Sequence, residues 1–383
     1  MTDLPGTEHH PHARATLGAA LAGLGGAGRP PSHAYLFHGP AGSGKRRAAR
    51  AFAAALLSEG AADPAGARAR VEHGTHPDLT WVVPSGAHEM LVGDVEEPVV
   101  AAAVMTPFEA ARRVFVLERA DTLIEQAANK LLKTLEEPAP FVHLILLTDA
   151  LSEVLPTIRS RCQLVRFDAL PPAELAERIG RHGVPPEQAA ACARLALGDG
   201  ARALELALGD GPALRAGGEA FARAALAGEV GSAAPWRELL ELRGRRGDVA
   251  VAEVRARLKD ELDLVPRRER KRVENEYEQR IRRTRRRVET DALDLGLQLS
   301  SLWLRDVACV AWGAEDLVHH VDRAAVLAQD AAGRDPQRLR AGVELVEDAR
   351  RRLRSNVTEE LALETLAYRL EALLTASAGA RSR

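Results

Sequence analysis

Apolar positions keep one rhythm over the first 168 residues of this chain and another beyond them. Ala34-Tyr35-Leu36-Phe37 is a short unbroken apolar run, and the alanine-rich stretch 46–57 that follows has the character of a helix. Residues 78–83 read as a second strand and 95–105 as a helix closed by Thr106-Pro107. Val114-Phe115-Val116-Leu117 reads as a buried strand. Over 123–137, Leu123, Ala127, Leu131 and Leu135 form one helical stripe that Pro138 stops, and 142–147 is a further buried strand. Strands that are apolar throughout, instead of alternating, belong in a parallel sheet covered on both faces. Their alternation with helices predicts a doubly wound parallel α/β domain over 1–168.

After about residue 167 the strand pattern ends. Pro171-Pro172 opens a run of short helices, which predicts a small helical domain over 169–208. Glycine-rich stretches at 209–218 and 228–235 make 209–235 the predicted linker. From 236 to 383 the pattern is helical, with a long basic helix across 265–290.

Composition supports this division. Aromatic residues make up only 4% of the chain while alanine and leucine abound, which favours helix over strand. A formal net charge of −2 means that any nucleic-acid contact must be local. Cys162, Cys192 and Cys309 lie far apart, so neither a disulfide framework nor a four-thiolate zinc site is predicted, and a reducing cytoplasm fits. Residues 1–14 are polar without a signal-type apolar core, and no apolar run approaches the eighteen or so residues of a membrane span. A cytoplasmic protein is the expectation.

The candidate chemistry begins right after the first strand. His38-Gly39-Pro40-Ala41-Gly42-Ser43-Gly44-Lys45-Arg46 follows the phosphate-binding pattern G-x-x-x-x-G-K-[ST] at Gly39, Gly44 and Lys45, with Gly42 between them. Such a loop turns backbone N–H groups and a helix N-terminus toward phosphates, and Lys45 would reach the β- and γ-phosphates. Arg46 replaces the hydroxyl that would hold Mg²⁺. Hydrolysis also needs a carboxylate pair at a strand end. Glu118 stands there, able to sit near a metal, but Arg119 occupies the water-activating position, and a guanidinium accepts no proton. Weak ATP binding remains open, Mg²⁺ is doubtful, and turnover is not expected.

The run Ala127-Ala128-Asn129-Lys130-Leu131-Leu132-Lys133-Thr134-Leu135-Glu136-Glu137-Pro138, with Pro156-Thr157-Ile158-Arg159-Ser160-Arg161-Cys162 after it, resembles the AAA+ clamp-loader subunits of bacterial DNA polymerase III. Within that group the chain is most similar to the delta-prime type. Gly198-Asp199-Gly200-Ala201-Arg202-Ala203-Leu204 and the segment 356–364 extend the likeness along the chain. The resemblance implies an AAA+ P-loop domain, a helical lid and an all-α C-terminal collar. It implies a subunit that does not hydrolyse ATP, within a DNA-directed DNA polymerase holoenzyme that loads a sliding clamp onto primed DNA. The delta and gamma/tau subunits would be its partners. Arg161 would be an arginine finger acting in trans, and Thr148 would occupy a γ-phosphate sensor position. The second-domain nucleotide-sensing arginine falls at Ala201, with Arg202 one place on. The four-cysteine zinc module of many relatives has no counterpart in 58–75, so no zinc is expected.

Two other readings stay open at this point. One is an active AAA+ ATPase, either the motor subunit of the same loader or another remodelling factor. The second is a DNA-binding protein acting through 267–287, where eleven arginines and lysines face four glutamates. Charge runs are more often solvated helix faces with intrahelical pairs, and the sequence favours that simpler account of the segment.

Overall fold

The computed structural model describes residues 4–24, 26, 28–85, 89–264, 270–353 and 358–375. These fall into two compact units, Met1–Pro171 with Gly198–Ala201, and Pro172–Leu197 with Arg202–Arg383.

The first unit is built on five parallel strands: β1 (Ala34–His38), β2 (Leu79–Val82), β3 (Arg113–Leu117), β4 (Val142–Thr148) and β5 (Gln163–Arg166). Their spatial order is β2-β3-β4-β1-β5. Leu36 pairs with Leu146 and Leu117 also with Leu146, so β4 lies between β1 and β3. Successive residues of each strand feed opposite cores. Tyr35, Phe37, Val114, Val116 and Ile145 pack under Leu17, Phe52, Leu56 and Leu57, from helices α1 (Pro11–Leu24) and α2 (Lys45–Ser58). Leu36, Phe115, Leu117, Leu144 and Leu146 face the other way. They meet Val95, Val99, Leu131, Leu135 and Ile158. This two-sided cover is why the strands are apolar throughout, and all seven residues of β4 are buried.

The elements differ from expectation in detail. Helix α3 (Pro64–His73) stands where the sequence shows only a cysteine-free stretch, and α1 covers part of the polar N-terminal region. The helix expected over 95–105 starts earlier, as α4 (Val92–Val95), and continues as a π-helical segment, Glu96–Ala101. The stripe over 123–137 becomes α5 (Glu125–Glu136). Strand β5 has no counterpart in the strand pattern because only Val165 of its four residues is buried. A short helix, α6 (Pro156–Arg159), precedes it.

The second unit is helical: α7 (Pro172–Gly180), α8 (Pro186–Leu195), α9 (Gly200–Ala207, whose first two residues group with the first unit), α10 (Gly211–Ala227), α11 (Val230–Ala233), α12 (Trp236–Leu264), α13 (Arg270–Ala311), α14 (Ala324–Ala331), α15 (Pro336–Leu353) and α16 (Glu359–Thr375). Two expectations need correction. The stretch 209–235 is not a linker, because most of it is α10, which buries Leu214, Phe221, Ala225 and Leu226. Its glycines permit close packing: a Cβ on Gly218 would lie 2.7 Å from Leu299 Cβ and 2.8 Å from the Gly296 carbonyl oxygen. The stretch 169–208 does not stand alone either. Residues 172–197 join the C-terminal helices, where Arg194 of α8 donates to the Val318 carbonyl at 2.8 Å. The boundary itself falls at Pro171, three residues from the expected one.

Candidate functional site

The phosphate-type loop occupies the turn between β1 and α2. The apolar β1 runs into the core and must reverse within a few residues, which L-residues with side chains do poorly. Gly39, Gly42 and Gly44 adopt φ of 146°, 67° and 102°, in the range that glycine tolerates. A Cβ on Gly42 would stand 2.2 Å from Asp199 Oδ1 and 2.5 Å from the amide nitrogens of Gly200 and Ala201. The loop therefore packs directly against the segment 198–201, and Ala201 is at the loop. Arg202 instead donates to Gln298 Oε1 at 2.6 Å.

Both cations of the loop are engaged by the chain itself. Lys45, although buried, has its Nζ 2.6 Å from the Gly39 carbonyl oxygen, 2.5 Å from that of Pro40, and 2.8 Å from Asp149 Oδ1. Arg46 Nε lies 2.8 Å from Glu118 Oε1, and Trp81 Nε1 donates to the same oxygen at 2.6 Å. A divalent magnesium ion needs an octahedron of oxygen donors. Position 46 offers a guanidinium instead, and it lies against the Glu118 carboxylate. The donor set does not fit Mg²⁺. Arg119, next to Glu118, takes the left-handed conformation (φ 55°) and leads into the turn Ala120–Thr122. Thr148 is buried; its hydroxyl donates to Asp121 Oδ1 at 2.7 Å and accepts from the Ala150 amide at 3.1 Å.

The N-terminal segment adds contacts that the sequence did not point to. A Cβ on Gly44 would meet the Gly6 carbonyl oxygen at 2.8 Å. His10 Nδ1 accepts from the Asp168 amide at 3.1 Å, so its Nε2 carries the proton and donates to the Ser43 carbonyl at 2.6 Å. Burial, joined by the charges of His12, Arg166, Lys45 and Arg159, holds His38 below the ordinary imidazole value. His10, Trp81, Asp121 and Asp149 belong to no sequence motif, and only folding brings them here.

Arg161 follows α6. One amino nitrogen donates to the Thr157 carbonyl at 2.9 Å and to Ser160 Oγ at 3.3 Å, and the other lies 2.5 Å from Glu136 Oε1 at the end of α5. The side chain keeps about a third of its surface exposed. Burial pushes the Cys162 thiol up to about 12, which makes it a packing residue and not a nucleophile. Among the described residues no three His, Cys, Asp or Glu side chains gather as a metal would require. No helix of the described residues is long and apolar enough to cross a membrane.

A parallel five-stranded sheet with a phosphate-type loop after β1 is followed along the chain by an all-helical C-terminal region. Residues 27–171 match the family described as DNA polymerase III, delta subunit. The chain is 35% identical over 185 residues to the DNA polymerase III subunit delta' of Bacillus subtilis, covering 47% of this chain and 55% of that one. It is 40% identical over 136 residues to the corresponding subunit of Pseudomonas aeruginosa, covering 34% and 42%. It thus spans about half the length of these curated relatives. The gamma/tau subunit of Mycobacterium tuberculosis is 34% identical over 175 residues, 44% of this chain and 29% of that protein. Among solved structures, a gamma subunit-related protein from Thermotoga maritima covers 93% of this chain and 98% of its own, at 15% identity and a TM-score of 0.43. The resemblance to delta-prime drawn from the helix and Ser-Arg-Cys motifs is borne out.

Proposed function

We propose that this chain is a non-hydrolysing, delta-prime-type subunit of a bacterial DNA polymerase III clamp loader, and that Arg161 acts on nucleotide held by a neighbouring subunit. The observation that carries this reading is the Arg46–Glu118 ion pair, 2.8 Å long, where a metal-binding hydroxyl and a free carboxylate would have to be. An active ATPase would need that pair undone. Arg161 is suited to the trans role because a planar guanidinium meets phosphate oxygens in a fixed fork, and its present partners are all on an exposed rim. Delta and gamma/tau subunits are the proposed partners, with the sliding clamp and primed DNA as what the assembly acts on, in the cytoplasm.

The test is a loader reconstituted with Arg161→Ala. With helicity unchanged, turnover at the site this arginine faces should fall by about 10³, in line with arginine fingers elsewhere. An unchanged rate removes the finger. ATP turnover by the isolated chain that Lys45→Ala abolishes would remove the non-hydrolysing reading.

A further inference from the structure

Helices α12 and α13 form an antiparallel pair. Asp248 meets Arg285 at 3.0 Å, and Val254 clusters with Tyr277, so positions rise along one helix as they fall along the other. Tyr277 and Ile281 pack with Val254, Leu258 and Leu262, which defines the inner face of α13. Arg285 serves this pairing, bound to Asp248 of α12 and at 2.8 Å to Glu289 of its own helix.

The outer face is different in kind. At about 100° per residue, Gln279, Arg282, Arg283 and Arg286 lie about 100° or more from the Tyr277–Ile281 stripe. Arg282 has 77% of its side chain exposed, and Arg286 is exposed as well. The segment that carries this face is basic as a whole: residues 270–287 hold nine arginines and lysines against three glutamates, whereas 240–264 hold six basic and six acidic residues. The Glu278 carboxylate stands 3.6 Å from Arg282, an exposed pair. Such pairs contribute roughly 0–1 kcal/mol, too little to keep a phosphate away.

We propose that the outer face of α13 around Arg282, Arg283 and Arg286 binds the sugar-phosphate backbone of double-stranded DNA. Duplex is favoured over single strands because the one aromatic ring of this segment, Tyr277, is buried against α12, leaving nothing outside for bases to stack on. Asn275 and Gln279, both exposed, add uncharged donors along the face. From 275 to 286 the helix rises about 16 Å at 1.5 Å per residue. A duplex presents about one negative charge every 1.7 Å of its axis, so three arginines over that length find ample phosphates. The choice of DNA as the polyanion rests on the clamp-loader reading; the face itself does not.

The experiment uses the full chain alone, so it can fail independently of the finger test, which needs the reconstituted loader. Fluorescence anisotropy with a labelled duplex of about 30 base pairs is followed between about 50 and 200 mM NaCl. Arg282→Gln/Arg283→Gln/Arg286→Gln should weaken binding at least tenfold at the low-salt end. Its slope of log affinity against log salt should become shallower by about 2–3, at about 0.9 per phosphate contact. Arg340→Gln/Arg351→Gln on α15 should leave both unchanged, and equal circular dichroism secures the fold. Wild-type slope and affinity in the triple variant, or the same loss in the α15 control, overturn the proposal. Tighter binding to poly-glutamate than to duplex also overturns it and assigns the face to an acidic protein.

Discussion

Glu118 and Asp306 are both carboxylates taken out of water, and each has been given donors by the fold. Glu118 receives a guanidinium and an indole N–H. Asp306, fully buried in the second unit, accepts the backbone amides of His319 and His320 at 2.9 Å each, and the His320 ring at 2.7 Å. Burial alone would raise the Asp306 carboxyl. The hydrogen bonds from His319 and His320, with the charge of His320, together outweigh it and hold the group well below the usual carboxylate range. Burial likewise keeps His320 below the ordinary imidazole value, and pushes His143, in β4, down to about 4. These shifts share one sign. The unfolded chain takes up protons at pH values where the folded chain refuses them, so stability is full above the unfolded imidazole pKa near 6.5 and declines as pH falls. Denaturant midpoints measured from pH 7 to about pH 3 should therefore fall steadily. Asp306→Asn should cost about 3 kcal/mol at pH 7, since it strands buried donors, and should flatten the decline below about pH 4. A stability independent of pH over this interval would contradict the account.

At the scale of elements, glycine misleads a reader of sequence and then explains itself. In solvent-exposed helix a glycine costs about 1 kcal/mol against alanine, so a stretch with Gly209, Gly211, Gly217 and Gly218 reads as a break. Packed helices reverse that preference, because a missing Cβ lets backbones approach. Gly218→Ala in α10 should destabilise by about 1–3 kcal/mol through its overlap with Leu299 and Gly296. Gly244→Ala in α12, where a new Cβ meets nothing within 4 Å, should stabilise by about 0.5–1 kcal/mol. Urea titrations of the two variants check the opposite signs. Strand β5 illustrates the same limit: with one buried residue of four, its period carries no signal, and it is a strand because Phe37 and His38 of β1 offer paired partners in Val165 and Arg166.

At the scale of the molecule, two units with separate cores should not unfold as one cooperative block. Calorimetry should give a measured enthalpy above the van't Hoff value, and Asp306→Asn should lower the transition of the second unit while the first keeps its midpoint. A single transition moved as a whole by that substitution would show that the two cores melt together.

Local pattern alone sufficed for the parallel α/β domain, the phosphate-type loop, α5 and the helical C-terminal half, because unbroken apolar runs, glycine spacing and helical stripes are properties of neighbours in sequence. The two arginines that depart from the phosphate-loop and carboxylate-pair patterns, Arg46 and Arg119, were legible in the same way. What Arg46 does instead was not. Its pairing with Glu118, the hold of Asp149 on Lys45, the approach of 198–201 to Gly42 and the bond from His10 to Ser43 join residues as distant in sequence as Gly42 and Ala201 or fix which of several carboxylates a cation meets. Those choices follow from the order of strands and the closeness of packed backbones, which only the tertiary structure sets.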